Sequence, residues 1–332
     1  GVLLQVMRTR EHLDAVIKAY DVRGVVGEDI DENFVRDTGA AFAAILREEG
    51  ENTVAVGHDM RPSSPSLARA FAEGVTSQGL NVTLLGLTST DELYYAAGSL
   101  ECAGAMFTAS HNPAKYNGIK LCRAGAVPVG QETGLEQIKQ MLIDGTPEFT
   151  GTEGAIAEQE ILAGYADFLR KLVPLEDSKP LVVAVDAANG MGGHTVPAVF
   201  DGLPFDVRDL YFELDGTFPN HEANPLDPKN LVDLQKFTVD QKADIGLAFD
   251  GDADRCFVVD EKGQPVSPSA ICALVAERYL EKFPGATIIH NLITSKTVPE
   301  LIKEKGGTPV RTRVGHSFIK AQMAEHKAAF GG

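Results

Sequence analysis

Basic residues are scarce in this 332-residue chain: 30 Lys and Arg stand against 47 Asp and Glu, a formal charge of −17. A surface of that sign repels polyanions, which excludes general nucleic-acid or anionic-membrane binding unless a local cationic patch intervenes. Cysteine is equally sparse. Cys102, Cys122, Cys256 and Cys272 form no CxxC pair, have no histidine at zinc spacing and sit in apolar runs, so reduced, buried thiols of a cytoplasmic protein are expected. The apolar start, residues 1–6, is too short for a membrane span and lacks the basic leader of a signal peptide. Met7 reads as a natural start, and residues 1–6 are set aside from the fold. What is present is ordinary globular material, with 44% hydrophobic and 23% charged residues over a length of roughly two domains or a little more.

Short β-branched runs alternate with amphipathic helical stretches, the pattern of successive α/β domains with mixed, largely parallel sheets. Three blocks are expected, 7–154, 155–262 and 263–332. In the first, Asp31 is placed to cap a helix carrying Phe34, Val35, Phe42, Ile45 and Leu46, closed by Gly50 before a strand at 53–56. Ser64 and Pro65 open a second helix running through Leu67, Phe71 and Val75, followed by a strand at 82–85. Asn117-Gly118 predicts a hairpin turn between 105–108 and 118–122. The second block offers a helix at 161–172 and strands at 181–185 and 245–249. In the third, helices at 270–280, 297–305 and 318–325 alternate with strands at 286–290 and 308–312. Residues 328–332 read as half of a further strand, so the chain is expected to stop inside its third domain.

Three loops carry chemistry. Phe107-Thr108-Ala109-Ser110-His111-Asn112-Pro113 sets a hydroxyl in a tight polar loop after an apolar strand. Ser110 is a candidate nucleophile or phosphate carrier, or else a serine that closes a turn. The glycines of a hydrolase elbow are replaced by Thr108 and Asn112. Asp250-Gly251-Asp252-Ala253-Asp254-Arg255 projects alternate carboxylates from a loop between apolar runs, a set suited to a hard divalent cation. Glu261 at the twelfth position evokes an EF-hand, but Arg255 stands where that loop needs glycine and the flanks read as strands. A solvated acidic turn is the remaining reading. Lys18-Ala19-Tyr20-Asp21-Val22-Arg23-Gly24 supplies a basic pair around a glycine before a polar stretch, and taken by itself it reads first as a surface salt-bridge loop. Gly190-Met191-Gly192-Gly193-His194-Thr195 fails as a dinucleotide fingerprint, because Thr195 replaces the third glycine.

Taken in order, the Lys18–Gly24 segment, the Ser110 loop and the Asp250 loop resemble the α-D-phosphohexomutase superfamily, and within it the bacterial phosphomannomutase/phosphoglucomutase group. The likeness covers Lys18 to Gly332. It implies α/β domains around a central cleft: a phosphoserine domain, a metal-binding domain, an incomplete sugar-binding domain and, beyond Gly332, a fourth that is absent. It implies a hexose 6-phosphate and hexose 1-phosphate interconversion, mannose first and glucose second, through a phosphoserine and a hexose 1,6-bisphosphate. Ser110 matches the phosphoserine; Asp250, Asp252 and Asp254, with the serine phosphate, match the Mg²⁺ ligands. Tyr20, Arg23, Arg61, Lys120 and Arg255 match substrate contacts, and Gly315-His316-Ser317 a sugar-contacting loop.

Ser110, Lys120, Arg23 and His316 are therefore the expected catalytic residues, Lys120 as general acid/base with His316 assisting. Ile293 stands where the family often carries a substrate-contacting lysine, with Lys296 one helical turn away. The hexose phosphate is the expected partner, with no nucleic acid and no membrane. A non-catalytic sugar-phosphate-binding protein of the same fold is the alternative, and a metal-dependent phosphatase a third reading. Neither the oligomeric state nor the preferred sugar follows from these residues.

Overall fold

A computed structural model describes residues 9–271, 275, 287–291, 308–312 and 330–331. The chain divides into two compact units, Gly1–Gly263 and Gln264–Gly332.

The first unit opens with α1 (Arg10–Val16) and β1 (Val22–Val25). Asp31 accepts the Phe34 N–H at 2.8 Å and so caps α2 (Glu32–Glu48), which leads into β2 (Thr53–His58). Pro65 lies in the first turn of α3 (Ser64–Ser77), followed by β3 (Asn81–Leu87). Ser89 and Glu92 cap one another's backbone groups at the start of α4 (Thr90–Ser99). Then come β4 (Ala103–Phe107), β5 (Tyr116–Arg123), β6 (Val127–Pro128), α5 (Leu135–Asp144) and β7 (Ile156–Glu158).

These strands form one sheet in the order β1-β5-β4-β2-β3-β7, with β6 beside β5. The pairs among β2, β3, β4 and β7 are parallel, while β5 runs antiparallel to β1 and β4. Successive side chains leave opposite faces of a strand, and here both faces are covered. Val54, Val56, Ala105 and Phe107 pack with Phe34, Phe42 and Phe71 of α2 and α3. Ala55, Met106 and Cys122 pack with Leu93 and Ala96 of α4 on the other side.

The rest of the unit comprises α6 (Leu162–Leu172), β8 (Leu181–Asp186), α7 (Gly192–Val199), β9 (Phe205–Leu210), α8 (Val232–Asp240), β10 (Ile245–Phe249) and β11 (Cys256–Val259). Its strands run in the order β11-β10-β8-β9, with β8 parallel to both neighbours and β10 antiparallel to β11. The Asp250 loop is therefore the connection of a β10–β11 hairpin. In the second unit, β12 (Thr287–Asn291) pairs in parallel with β13 (Thr308–Thr312) and β14 (Phe330–Gly331). The helices expected at 297–305 and 318–325, and most of 270–280, lie outside the described residues.

Two expectations are corrected. The 105–122 hairpin exists, but Asn117 and Gly118 lie inside β5, and the connection is the Ser110 loop. Asn117 is buried and donates to the hydroxyls of Ser63 and Ser64, and a side chain at position 118 would run into the Val22 carbonyl. Tertiary contacts, not turn geometry, account for this Asn-Gly pair. Cys102 and Cys122 are buried free thiols as expected, whereas Cys256, at the first position of β11, is exposed.

Candidate active site

Ser110 sits just beyond the end of β4, with only 3% of its surface exposed and a φ of +55°. A left-handed backbone is unfavourable for a residue with a Cβ, so the loop must be held by its surroundings. Arg61 does much of the holding. Its guanidinium donates to the carbonyls of Ser110 (3.2 Å), Asn112 (2.9 Å), Pro113 (2.7 Å) and Tyr116 (3.0 Å). Its Nε donates to Asp59 at 3.1 Å, so all five guanidinium N–H groups have acceptors. Thr108 Oγ1 accepts the Ser110 N–H, and Arg23 donates to Asn112 Oδ1 at 2.8 Å.

The Asp250 loop meets this serine from the β10–β11 hairpin. Ser110 Oγ donates to Asp250 Oδ2 at 3.1 Å, and a Cβ on Gly251 would collide with the Ser110 carbonyl. Glycine is required there because two loops touch backbone to backbone. Asp250, Asp252 and Asp254 offer oxygens within 4.8 Å of one another, the one such cluster of potential metal ligands among the described residues. Asp250 and Asp252 are buried, and each of Asp252 and Asp254 keeps a buried Oδ1 without a hydrogen-bond partner.

The electrostatics follow from that crowding. Burial, with Asp252 and Asp254 adding to it, pushes the Asp250 carboxyl well above its ordinary range. Burial acts the same way on Asp252, but Lys120 and the Thr90 hydroxyl outweigh it and hold this group ionised below the ordinary range. Lys120 Nζ donates to Asp252 at 3.1 Å and to Asp254 at 3.3 Å. Burial opposes its charge, yet the two carboxylates win and hold its ammonium above the usual lysine value. One ammonium among three carboxylates leaves room for further positive charge. Two buried, unpartnered carboxylate oxygens are a donor set of the kind a hard cation takes.

At His111, next to Ser110, positive neighbours dominate. His111 is pushed down to about 4 by burial and then by Arg255, Arg23 and Lys120. A chain of charge −17 thus assembles a local cationic wall beside its serine, the patch that an anionic ligand requires.

Structure brings Ser110, Lys120, Arg23, Arg255 and the three aspartates into one region of the first unit. Arg61 is there too, but it is fully enclosed and its donors are spent on the loop. Tyr20 is 37% exposed. His316, Ile293 and Lys296 lie outside the described residues. Sequence reasoning missed Thr90, whose Oγ1 donates to Asp252 Oδ2 at 2.5 Å and whose N–H donates to the Asp252 carbonyl at 3.3 Å. It also missed Asp59, which accepts from the backbone and side chain of Arg61 and from Ser64. The Ser89–Glu92 capping box locates a helix start at Thr90, but nothing local says that this start meets a loop 160 residues away.

Three domains of the phosphoglucomutase/phosphomannomutase family match in order: alpha/beta/alpha domain I over residues 14–147, domain II over 163–263 and domain III over 267–332. A phosphomannomutase of Salmonella montevideo is 37% identical over 323 residues, covering 95% of this chain and 70% of its own length. A phosphoglucomutase of Neisseria gonorrhoeae is likewise 37% identical, with coverages of 96% and 68%. Among solved structures, a phosphoglucomutase/phosphomannomutase family protein from Burkholderia thailandensis superimposes with a TM-score of 0.89 at 33% identity, covering 96% of this chain and 70% of that one.

Proposed function

Because this chain belongs to the phosphoglucomutase/phosphomannomutase family, we propose that it interconverts hexose 6-phosphate and hexose 1-phosphate, mannose first and glucose second. The observation that carries the reading is Ser110 Oγ, buried and 3.1 Å from Asp250 of the carboxylate cluster, with the Arg23 and Arg255 guanidinium groups close enough to act on the neighbouring His111.

On this reading Ser110 carries the phosphoryl group in the working enzyme. The P–Oγ bond breaks as a P–O bond forms to the sugar's O1 hydroxyl, which loses its proton. The product is hexose 1,6-bisphosphate, which turns over so that its 6-phosphoryl group returns to Ser110 while O6 takes a proton. Lys120 is held as an ammonium by Asp252 and Asp254, so it is suited to protonating the departing sugar oxygen and to positioning the attacking hydroxyl. His316 is the assisting group, and Tyr20 a substrate contact at the edge of the site.

A phosphoserine bears a charge of about −1.5 to −2 at pH 7, and Arg23 and Arg255 supply the opposing field for it and for the substrate phosphate. Asp250, Asp252, Asp254 and the serine phosphate are the ligands for Mg²⁺, which when bound neutralises charge developing on the transferring group. Arg61 is a positioning residue that shapes the loop without touching substrate. Free thiols at Cys102 and Cys122 support action in the cytoplasm, and among the described residues no helix is long and apolar enough to cross a membrane.

Peptide mass spectrometry tests the mechanism. Ser110 is expected to carry phosphate after incubation with a hexose 1,6-bisphosphate and Mg²⁺, and mannose 1-phosphate is expected to discharge it into sugar bisphosphate. Ser110→Ala is expected to abolish mutase turnover. A serine that stays unphosphorylated, or turnover that survives Ser110→Ala, overturns the proposal.

A further inference from the structure

The run Gly190-Met191-Gly192-Gly193, which does not fit the dinucleotide pattern, joins the end of β8 to the start of α7 and meets the Asp250 loop. The Met191 N–H donates to the Gly251 carbonyl at 2.9 Å. A Cβ on Gly190 would lie 2.8 Å from that same oxygen and 3.1 Å from the Gly251 Cα, so the two loops touch main chain to main chain. Gly190 is outside the left-handed region, and space alone excludes a side chain there. Gly251 in turn leaves no room for a Cβ against the Ser110 carbonyl, so the contacts run from Gly190 through Gly251 to Ser110.

Asn189, 3% exposed with a φ of +60°, anchors this turn. Its Nδ2 donates to the Glu213 carbonyl at 3.0 Å, and its Oδ1 accepts from Asn220 Nδ2 at 2.9 Å. Its N–H donates to the Tyr211 carbonyl and its carbonyl accepts the Asp215 N–H, each at 2.9 Å. All four bonds hold the 211–220 segment, which packs on the Arg61 clamp. The Phe218 ring centre lies 5.3 Å from Arg61 Cζ, and a Cβ on Gly216 would lie 2.6 Å from the Arg61 Cα. One turn therefore contacts the Asp250 loop and fastens the segment that covers Arg61.

We propose that Asn189 and Gly190 are positioning residues of the Ser110 site. Gly190 sets how closely the Asp250 loop approaches Ser110, and the Asn189 amide ties that turn to the cover of Arg61. Neither touches substrate. A methyl group at position 190 meets main chain and no flexible side chain, so Gly251 must move, and the neighbouring aspartates shift with it relative to Ser110.

The test is calorimetric titration with Mg²⁺ alone, beside urea unfolding. Gly190→Ala is expected to weaken Mg²⁺ binding by about tenfold or more, the scale on which supports of metal ligands act. Asn189→Gly keeps the left-handed turn and removes only the amide, so it is expected to fold and to weaken Mg²⁺ several-fold, and it stays readable even where Gly190→Ala does not fold. Gly39→Ala drives a Cβ into the Phe71 carbonyl between α2 and α3, so it is expected to lower the urea midpoint and leave Mg²⁺ affinity unchanged. The positioning role rests on the proposed metal-dependent mutase, but its readout is metal affinity without turnover, so a lack of mutase activity with these shifts intact would overturn that function alone. Absence of Mg²⁺ binding by the unmodified protein overturns both. Affinity unchanged in Gly190→Ala or in Asn189→Gly, or weakened equally in Gly39→Ala, overturns the positioning role.

Discussion

Thr90, the first residue of α4, donates both its hydroxyl and its N–H to Asp252, in a loop that lies on a different sheet. The hydroxyl fixes Oδ2 of that carboxylate and the N–H holds the Asp252 main-chain carbonyl, while the other carboxylate oxygen, Oδ1, has no partner. Groups that orient a metal ligand commonly alter affinity by about 10–100-fold when removed. Thr90→Val keeps the shape and deletes the hydroxyl, so the Mg²⁺ concentration giving half-maximal mutase turnover is expected to rise by about that factor. An unchanged Mg²⁺ titration would show that Lys120 alone orients Asp252.

Arg61 and Asp59 form an ion pair with both side chains at 0% exposure. Removing one partner of such a pair strands a buried charge and costs about 3–5 kcal/mol. Arg61→Ala is expected to lose stability of that order in urea unfolding. Arg61→Lys keeps the charge but lacks the planar fork that reaches four carbonyls of the Ser110 loop, so kcat is expected to fall more than KM rises. Burial lowers Arg61, with Asp59 opposing, yet it stays charged at any working pH. A lysine variant with full kcat would show that the loop keeps its left-handed turn without the clamp.

His221 Nε2 lies 2.7 Å from Oδ2 of buried Asp186. Burial opposes the imidazolium, but the hydrogen bond and charge of Asp186 outweigh it, and the folded value is raised. A raised value means that the folded state binds more protons than the unfolded one, so stability falls as pH rises. The contribution is complete below the unfolded histidine value of about 6.5 and is lost as pH climbs through the folded value. Denaturant midpoints between pH 6 and 8 are expected to decline, and His221→Gln to flatten this component. An unaltered slope in the variant would assign the pH dependence to other groups.

Much of the fold was legible because its signals are local. Asp31, Gly50, Pro65 and the apolar spacing of α2 and α3 act within a few residues of themselves, and the structure places those helices where they point. The Asn117-Gly118 pair misled for the complementary reason. Its turn preference is small beside a buried side-chain hydrogen-bond network and a close approach to β1, and the longer Ser110 loop makes the connection instead. Cys256 shows the limit of apolar pattern at a strand start, where the exposure of one side chain depends on what the sheet leaves uncovered.

By itself the sequence determined the α/β alternation, the strand–loop–strand setting of Ser110 and of the three aspartates, and their resemblance to the phosphohexomutases. Each of these rests on residue type at short spacing. Only the tertiary structure decided which groups meet: Ser110 with Asp250 across 140 residues, Lys120 with Asp252 across 132, and Thr90 with Asp252 across 162. It also decided that Arg61 spends its donors on the loop, and that two buried oxygens of Asp252 and Asp254 have no partner. Charge and hydrogen-bond geometry act through space over a few ångströms, and the linear order of a chain does not carry that distance.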